Sequence, residues 1–491
     1  MAKKDGKAKA KTSKKSPNIK KPAKAVSPKK PTPKAPAKSK KDLASTKSAS
    51  RIKMPHKAVS EALKVAPQPS KKSLRQGLES VKGMHDILPK DQPYWEKMRD
   101  EVRCAAYFYN FSRIDTPIVE HAALFERGAG ETSEIVEKQM YFLKTEDKLV
   151  LRPENTASVA RAYIEHGMSH EPQPVRLYYF APMFRYEQPQ EGRFRSFHQA
   201  GFEILGGESD PIYDAEIILT TFRLLESLKL SNLSIEINTL GSPFDRAIYR
   251  RKLVDFLKNK KLSKEVHAKL DTNPLRILDS KDESVKEILK TAPSILDSLS
   301  ASSSAHFKAV LEYLDTLGLP YTISNNLVRG LDYYSHTVFE IFSSDFNFAL
   351  AAGGRYDGLV ELLGGRKTPA VGSAIGLERI VHVMKAAGID FNNKNKPKVF
   401  LIHVGDLAKK KSLALLETLK NANIYCKEAL SKDSLKAQLK QADKEGSHLA
   451  LIMGQKEAFE ESVIIRDLES GIQETVPIDK LIEKLHHFLK S

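Results

Sequence analysis

Alternation along Phe194-Arg195-Ser196-Phe197-His198-Gln199-Ala200-Gly201-Phe202-Glu203 sends Arg195, Phe197, Gln199, Gly201 and Glu203 to one side of a strand. A cation, an aromatic plane, an amide, bare backbone and a carboxylate in a row cost several kcal/mol to bury without partners. That side is therefore expected to surround a flat, polar, charged ligand. Phe194, Ser196, His198, Ala200 and Phe202 form the expected packing side. An alternating run from about Pro174 to Glu187 precedes it, and Gln188-Pro189-Gln190-Glu191-Gly192 between the two supplies turn chemistry. An antiparallel hairpin with a charged tip is predicted.

Other segments carry residues of the same kind. In Leu151-Arg152-Pro153-Glu154-Asn155-Thr156, a carboxylate and a hydroxyl two residues apart share a side if the strand continues, and such a pair suits an ammonium group. The rival reading makes Thr156 the N-cap of a helix from Ala157, which leaves Glu154 unexplained. Leu327-Val328-Arg329-Gly330-Leu331-Asp332-Tyr333-Tyr334 joins a fixed positive charge suited to phosphate with two phenols, or else is an exposed strand with an interfacial tyrosine pair. Ala351-Ala352-Gly353-Gly354-Arg355-Tyr356-Asp357-Gly358, then Gly364-Gly365, permits close backbone approach to a ligand or forms a bare turn. Gly372-Ser373-Ala374-Ile375-Gly376-Leu377-Glu378-Arg379-Ile380 opens a helix whose Arg379 covers a base, reaches a phosphate, or pairs with Glu378. Neither GxxxxGK[ST] nor a GxGxxG after a strand occurs, so a nucleotide would be held by arginine side chains on an antiparallel sheet.

The chain that positions these residues is 491 residues long, enough for two or three domains. Its net charge of +18 is uneven: residues 1–80 hold 24 Lys and Arg against 4 Asp and Glu, leaving 55 against 57 for the rest. Rich in Lys, Ala, Ser and Pro, residues 1–80 read as a disordered polycation, either a solvated tail or a non-specific tether for RNA. Mixed strands and helices follow to about residue 393, with a helix from Tyr94 to Tyr109, a strand over Ser112–Val119 and a helical insertion at about 242–318 broken at Asn273-Pro274. After a polar linker, 397–491 reads as a smaller α/β domain, ordered strand, helix, strand, helix, strand, strand, helix, with Leu435, Leu439 and Ala442 on one helix face. Cys104 and Cys426 stand alone, which speaks against a disulfide framework or a cysteine zinc site and fits a reducing compartment. No apolar run approaches the ~20 residues of a membrane span and no secretory apolar stretch opens the chain, so a soluble, cytoplasmic protein is expected.

Taken in order, the segments resemble a known set. Arg185 through Glu203 is similar to motif two of the class II aminoacyl-tRNA synthetases, Phe111 through Glu120 to motif one, and Gly372 through Ile380 to motif three. Leu327–Glu340 and Ala351–Gly365 resemble the two peptides peculiar to histidyl-tRNA synthetases, and Lys82–Pro89, Leu151–Glu154 and Asn273–Lys281 also fit. The likeness spans roughly residues 81–491. It implies a catalytic domain over 81–393 built on an antiparallel six-stranded sheet, an anticodon-binding domain over 397–491, and a homodimer joined partly through motif one.

The resemblance also implies roles. Arg185 would hold the α-phosphate of ATP, Glu187 the adenine amino group and Arg193 the γ-phosphate, while Phe197 and Arg379 sandwich the adenine. Arg329 would stabilise charge at the α-phosphate as the carboxylate of histidine attacks. Glu154, Thr156 and Gln199 would hold the α-amino group, and Glu203 and Tyr334, with Tyr333 alongside, would address the imidazole. Mg²⁺ is expected to arrive with ATP, with no protein metal cage. Histidine tRNA is the implied partner, and Lys436, Lys440 and Lys444 are candidates for its phosphates or a solvated helix face. Two other classes are a regulatory paralogue of ATP phosphoribosyltransferase and an RNA-sensing module of synthetase fold. The paralogue family lacks the C-terminal domain and loses several nucleotide arginines, whereas Arg185, Arg193, Arg329 and Arg379 are all present here. Departures from the family pattern are Asn155 where glycine is common, Gln188 and Glu191 at the hairpin tip, and Ser335-His336 after the two tyrosines.

Overall fold

The computed structural model describes residues 78–491 apart from 131, 132, 134, 190, 191, 281, 392–397 and 491. The polycationic tail up to residue 77, part of the hairpin tip and the polar linker lie outside the described residues.

After the helix Gln92–Phe108, with a proline in its first turn, come the short strands β1 (Ser112–Arg113), β2 (Val119–His121), β3 (Tyr141–Phe142) and β4 (Leu149–Leu151). The single strand expected over Ser112–Val119 is therefore interrupted. Its cause is Arg152, whose Nη1 donates to the carbonyl of Thr116 at 2.8 Å and to its hydroxyl at 2.9 Å, while Pro117 offers no N–H for a ladder. β2, β4 and β3 form their own small sheet.

The main sheet rests on β5 (Val175–Phe184) and β6 (Ser196–Leu205). β5 alternates strictly between buried and half-buried residues, as a strand covered unequally on its two faces should. The two pair antiparallel from Val175↔Leu205 to Phe184↔Ser196, which is the expected hairpin with a longer connection. β7 (Leu233–Thr239), β8 (Tyr321–Ile323), β9 (Ser335–Ser343), β10 (Ala351–Arg355) and β11 (Ala370–Gly376) complete it in the order β1-β5-β6-β11-β10-β9-β7-β8. Its six inner strands, β5 through β7 in that order, are antiparallel throughout. The short β1 and β8 extend the expected six to eight by parallel pairing at the two edges.

The sheet faces bury different things. Trp95, Met98, Phe202, Ile218, Phe222, Phe339 and Ile380 make an apolar core with the helices Gln92–Phe108, Ile212–Ser227 and Leu377–Ala386. Against the other face lie Tyr179, Met183, Tyr249, Tyr333, Tyr334 and Tyr356, a core full of hydroxyls that must find partners. The insertion between β7 and β8 is helical, with its break at Asn273 between Lys264–Thr272 and the 3₁₀ turn Pro274–Ile277. Ser242 and Asp245 cap its first helix reciprocally, and Asp245 also accepts from Ser303 Oγ at 2.5 Å, tying the first helix to Ala301–Thr316.

The C-terminal strands are β12 (Val399–His403), β13 (Cys426–Glu428), β14 (Leu449–Met453), β15 (Ser462–Asp467) and β16 (Gln473–Pro477), in the order β13-β12-β14-β15-β16. β12 pairs in parallel on both sides and is buried throughout, as a doubly covered strand requires. A short helix, Gln455–Phe459, joins the expected order between β14 and β15. Of the three residues expected on one face of the helix Leu435–Lys444, Ala442 is buried and Leu439 packs in the same cluster, but Leu435 is exposed and Gln438 is buried instead. Gln438 is drawn inward because its amide accepts from the N–H of His403 at 3.1 Å and donates to its carbonyl at 2.7 Å. Among the described residues no helix is long and apolar enough to cross a membrane.

Candidate active site

Glu203 is fully buried on β6 and accepts two hydroxyl hydrogen bonds, from Thr156 at 2.7 Å and from Tyr356 at 2.5 Å. Burial pushes its carboxyl up to about 8, although both hydroxyls pull the other way. The carboxylate lies across the backbone of β11. Gly372 pairs with Glu203, and a Cβ at Gly372 would stand 1.6 Å from Oε2.

Thr156 opens the helix Thr156–Glu165, since β4 ends at Leu151 rather than continuing. The cap is Glu154, which accepts from the N–H groups of Thr156 at 2.7 Å and Ala157 at 2.9 Å. Both rival readings of that segment thus change: the carboxylate caps the helix and the hydroxyl serves Glu203. Asn155 accepts from the hydroxyl of Thr116 at 2.8 Å and from Arg152 at 3.1 Å, a tie that glycine could not make.

Three tyrosines cluster beside Glu203. The rings of Tyr333 and Tyr334 lie 4.7 Å apart, and Tyr356 stands 5.7 and 6.5 Å from them. Behind Tyr356, on the other side of the chain, Arg355 is buried against Asp214, with Nε donating at 3.0 Å. Burial would raise Asp214, but Arg355 and His306 more than offset it and hold the carboxyl at about 2. Tyr179 adds a fourth phenol, buried without a hydrogen-bond partner among the described residues.

Arginines occupy the adjoining ground. Arg185 is half-buried, donates from Nε to the carbonyl of Pro153 at 2.9 Å, and holds its guanidinium 5.1 Å from the Phe197 ring centre. Glu187 and Arg193 approach within 3.6 Å. Arg379 donates to the carbonyls of Gly192 at 2.9 Å and Ala349 at 2.6 Å and lies 5.4 Å over Phe348. Burial lowers its basicity, and nearby Arg193 and Arg185 lower it further. In this structure Arg185 covers Phe197, and Arg379 rests on Phe348. Arg379 does not pair with Glu378, which accepts instead from the N–H of His198 at 2.9 Å and meets its Nδ1 at 2.8 Å.

Arg329 lies 5.8 Å over the ring of Tyr334 and is ion-paired with Glu340. Gln199 is half-buried on β6 between Ala181 and Gly376. Lys436, Lys440 and Lys444 are all exposed on Leu435–Lys444. One fold thus gathers Glu154, Thr156, Glu203, Tyr333, Tyr334 and Arg329 beside Arg185, Glu187, Arg193 and Phe197. Sequence reasoning passed over Tyr356, Tyr179, Glu340 and Phe348. Of these, Tyr356 had a signal, standing next to the glycines of Ala351–Gly358 on a strand end where alternation turns it away from Arg355.

Comparison with known proteins places this geometry. The family model described as histidyl-tRNA synthetase matches residues 83–380, and the anticodon binding domain model matches 398–487. The histidine–tRNA ligase of Pelotomaculum thermopropionicum is 41% identical over 410 residues, covering 82% of this chain and 96% of its own. That of Acetivibrio thermocellus is 40% identical over 413 residues, covering 83% and 99%. The apo crystal structure of the S. aureus histidyl-tRNA synthetase superposes with a TM-score of 0.70 at 34% identity, over 83% of this chain and 99% of that one. On a class II catalytic sheet followed by an anticodon-binding unit, the chain belongs to the histidyl-tRNA synthetase family.

Proposed function

We propose that the chain activates histidine with ATP and transfers it to the 3′ end of histidine tRNA. A carboxylate oxygen of histidine attacks the α-phosphorus, the bond to the β-phosphate oxygen breaks, and pyrophosphate leaves. The terminal ribose hydroxyl then attacks the acyl carbon of histidyl-adenylate, and AMP leaves.

The observation that carries this reading is Glu203: a fully buried carboxyl set between two hydroxyls among tyrosines, beside the half-buried Arg185 and Arg329. On this reading Glu203 and Tyr334 take the two imidazole nitrogens, with Tyr333 alongside, and Glu154, Thr156 and Gln199 take the α-amino group. Such a pocket leaves its polar groups unpaired around leucine or phenylalanine, a penalty of ~10⁴-fold or more without editing. Arg185 and Arg329 stabilise the charge that grows at the α-phosphate, Arg193 holds the γ-phosphate, and Glu187, Phe197 and Arg379 hold the adenine. The positions of these side chains support that placement, with the adenine between Phe197 and Arg379. Mg²⁺ belongs to this reading as the counter-ion of ATP.

The division into 81–393 and 397–491, a cytoplasmic location, and tRNA phosphates on Lys436, Lys440 and Lys444 belong to the same proposal. So does a homodimer, supported by the exposed apolar side chains of Tyr107, Phe108, Ile118, Val119 and Phe142 in and around motif one. The test is histidine-dependent exchange of pyrophosphate into ATP: strong exchange is expected, and Glu203→Ala should abolish it at ordinary histidine concentration. Normal exchange by that variant removes Glu203 from the site.

A further inference from the structure

Glu340 sits on β9 in a place that suits a carboxylate badly. Its cross-strand partner on β7 is Glu236, and its partner on β10 is Ala352. Like charges directly opposite on a sheet repel, so a neutral residue would serve the strand better. Burial pushes the Glu340 carboxyl up, and Asp279 and Glu236 push it the same way; Arg329 opposes them, with Arg379 adding a smaller pull.

What Glu340 does have is Arg329. Its carboxylate meets Nη1 of that guanidinium, and the two side chains are equally withdrawn, each 20% exposed. Nη1 is thereby occupied while Nε is buried with no hydrogen-bond partner among the described residues. The Tyr334 ring lies along the guanidinium, 5.8 Å away. Nη1 is fastened and Nε is dry and unspent, while Tyr334 also bonds the guanidinium.

We propose that Glu340 is a positioning residue for the first step: it pins Nη1 of Arg329 so that the free Nε edge is presented to the reacting phosphoryl group. This rests on the assignment of Arg329 to the α-phosphate. A long arginine loses substantial rotamer freedom when held in one geometry, and fixing it before the substrate arrives moves that loss out of the barrier.

A double-mutant cycle in the full-length protein tests this. Glu340→Gln keeps the shape and removes the charge; it is expected to slow single-turnover histidyl-adenylate formation by on the order of tenfold to a hundredfold, the scale of groups that orient a functional ligand. The KM for histidine should move far less. In an Arg329→Ala background, measured at high enzyme concentration, Glu340→Gln should have no further effect, because the residue acts only through Arg329. Equal losses in both backgrounds would overturn the proposal. Thermal unfolding supplies a readout that needs no activity: Arg329→Ala leaves Glu340 buried and unpaired, so adding Glu340→Gln should raise the midpoint. A midpoint that instead falls by the same amount as in the wild-type background also overturns it. If Arg329→Ala alone leaves adenylate formation intact, the assignment of Arg329 fails, which is a different result from Glu340→Gln having no effect while Arg329→Ala is crippled.

Discussion

Replacing Glu203 by Gln should change how stability depends on pH more than it changes stability at pH 5. In the folded protein burial pushes the carboxyl up to about 8, against 4.5 for a glutamate in the open chain. Below about pH 4 both folded and unfolded chains largely hold the proton and the group contributes little; by pH 5 the unfolded chain has released most of its share, at a cost of under about 1 kcal/mol of the whole window. As pH rises through the window from 4.5 to about 8, the unfolded chain has lost the proton while the folded chain keeps it, so the folded state binds more protons and its stability falls. Each unit of that window is worth about 1.4 kcal/mol, which sets an upper bound on the order of 4–5 kcal/mol across it. Above the upper limit both states are ionised and the loss levels off. Glutamine cannot ionise. The variant should therefore lose less stability than the wild type on going from pH 5 to pH 9, and its advantage should grow between those values. Denaturant unfolding of both proteins in closely spaced buffers reads the difference directly, since other titrating groups are shared and cancel. A wild-type-minus-variant difference that stays flat with pH would refute the picture of a desolvated carboxyl held between two hydroxyls.

Tyr356→Phe removes one of the two donors to Glu203 and should cost about 1–3 kcal/mol, with the KM for histidine rising more than the KM for ATP in the exchange assay. Equal rises would place Tyr356 outside the histidine half. Deleting residues 1–80, with their excess of 20 positive charges, should weaken tRNA binding and flatten its dependence on salt; identical slopes with and without the segment would make it a passive appendage.

How much of this was legible in the chain follows from how local each signal is. The alternation that placed Phe197, Gln199 and Glu203 together needs only ten consecutive residues, and β6 keeps it. The inner six strands were implied by the family likeness, whereas β1 and β8 are two and three residues long, too short to leave a periodic trace. Ser112–Val119 failed as one strand because the decisive group, Arg152, is 36 residues from Thr116 and takes its carbonyl. Tyr356 reaches Glu203 across 153 residues, a pairing made only when β10, β11 and β6 come side by side. Leu435 misled by its own periodicity: a leucine at the right spacing lost the inner face to Gln438, whose amide answers the backbone of His403. Propensity and pattern see side chains; they do not see which carbonyl elsewhere lacks a donor.

The missing side chain at Gly372 has a wider meaning. Because the acid of Glu203 rests on bare peptide, the floor beneath it is a strand, and floors of that kind do not rearrange by turning a rotamer. Anyone wishing to retune this protein toward a bulkier amino acid would have to shift two neighbouring ladders apart, disturbing the sheet that also carries the arginines. Fidelity toward the smaller ligand is in that sense built into the masonry rather than the furnishings.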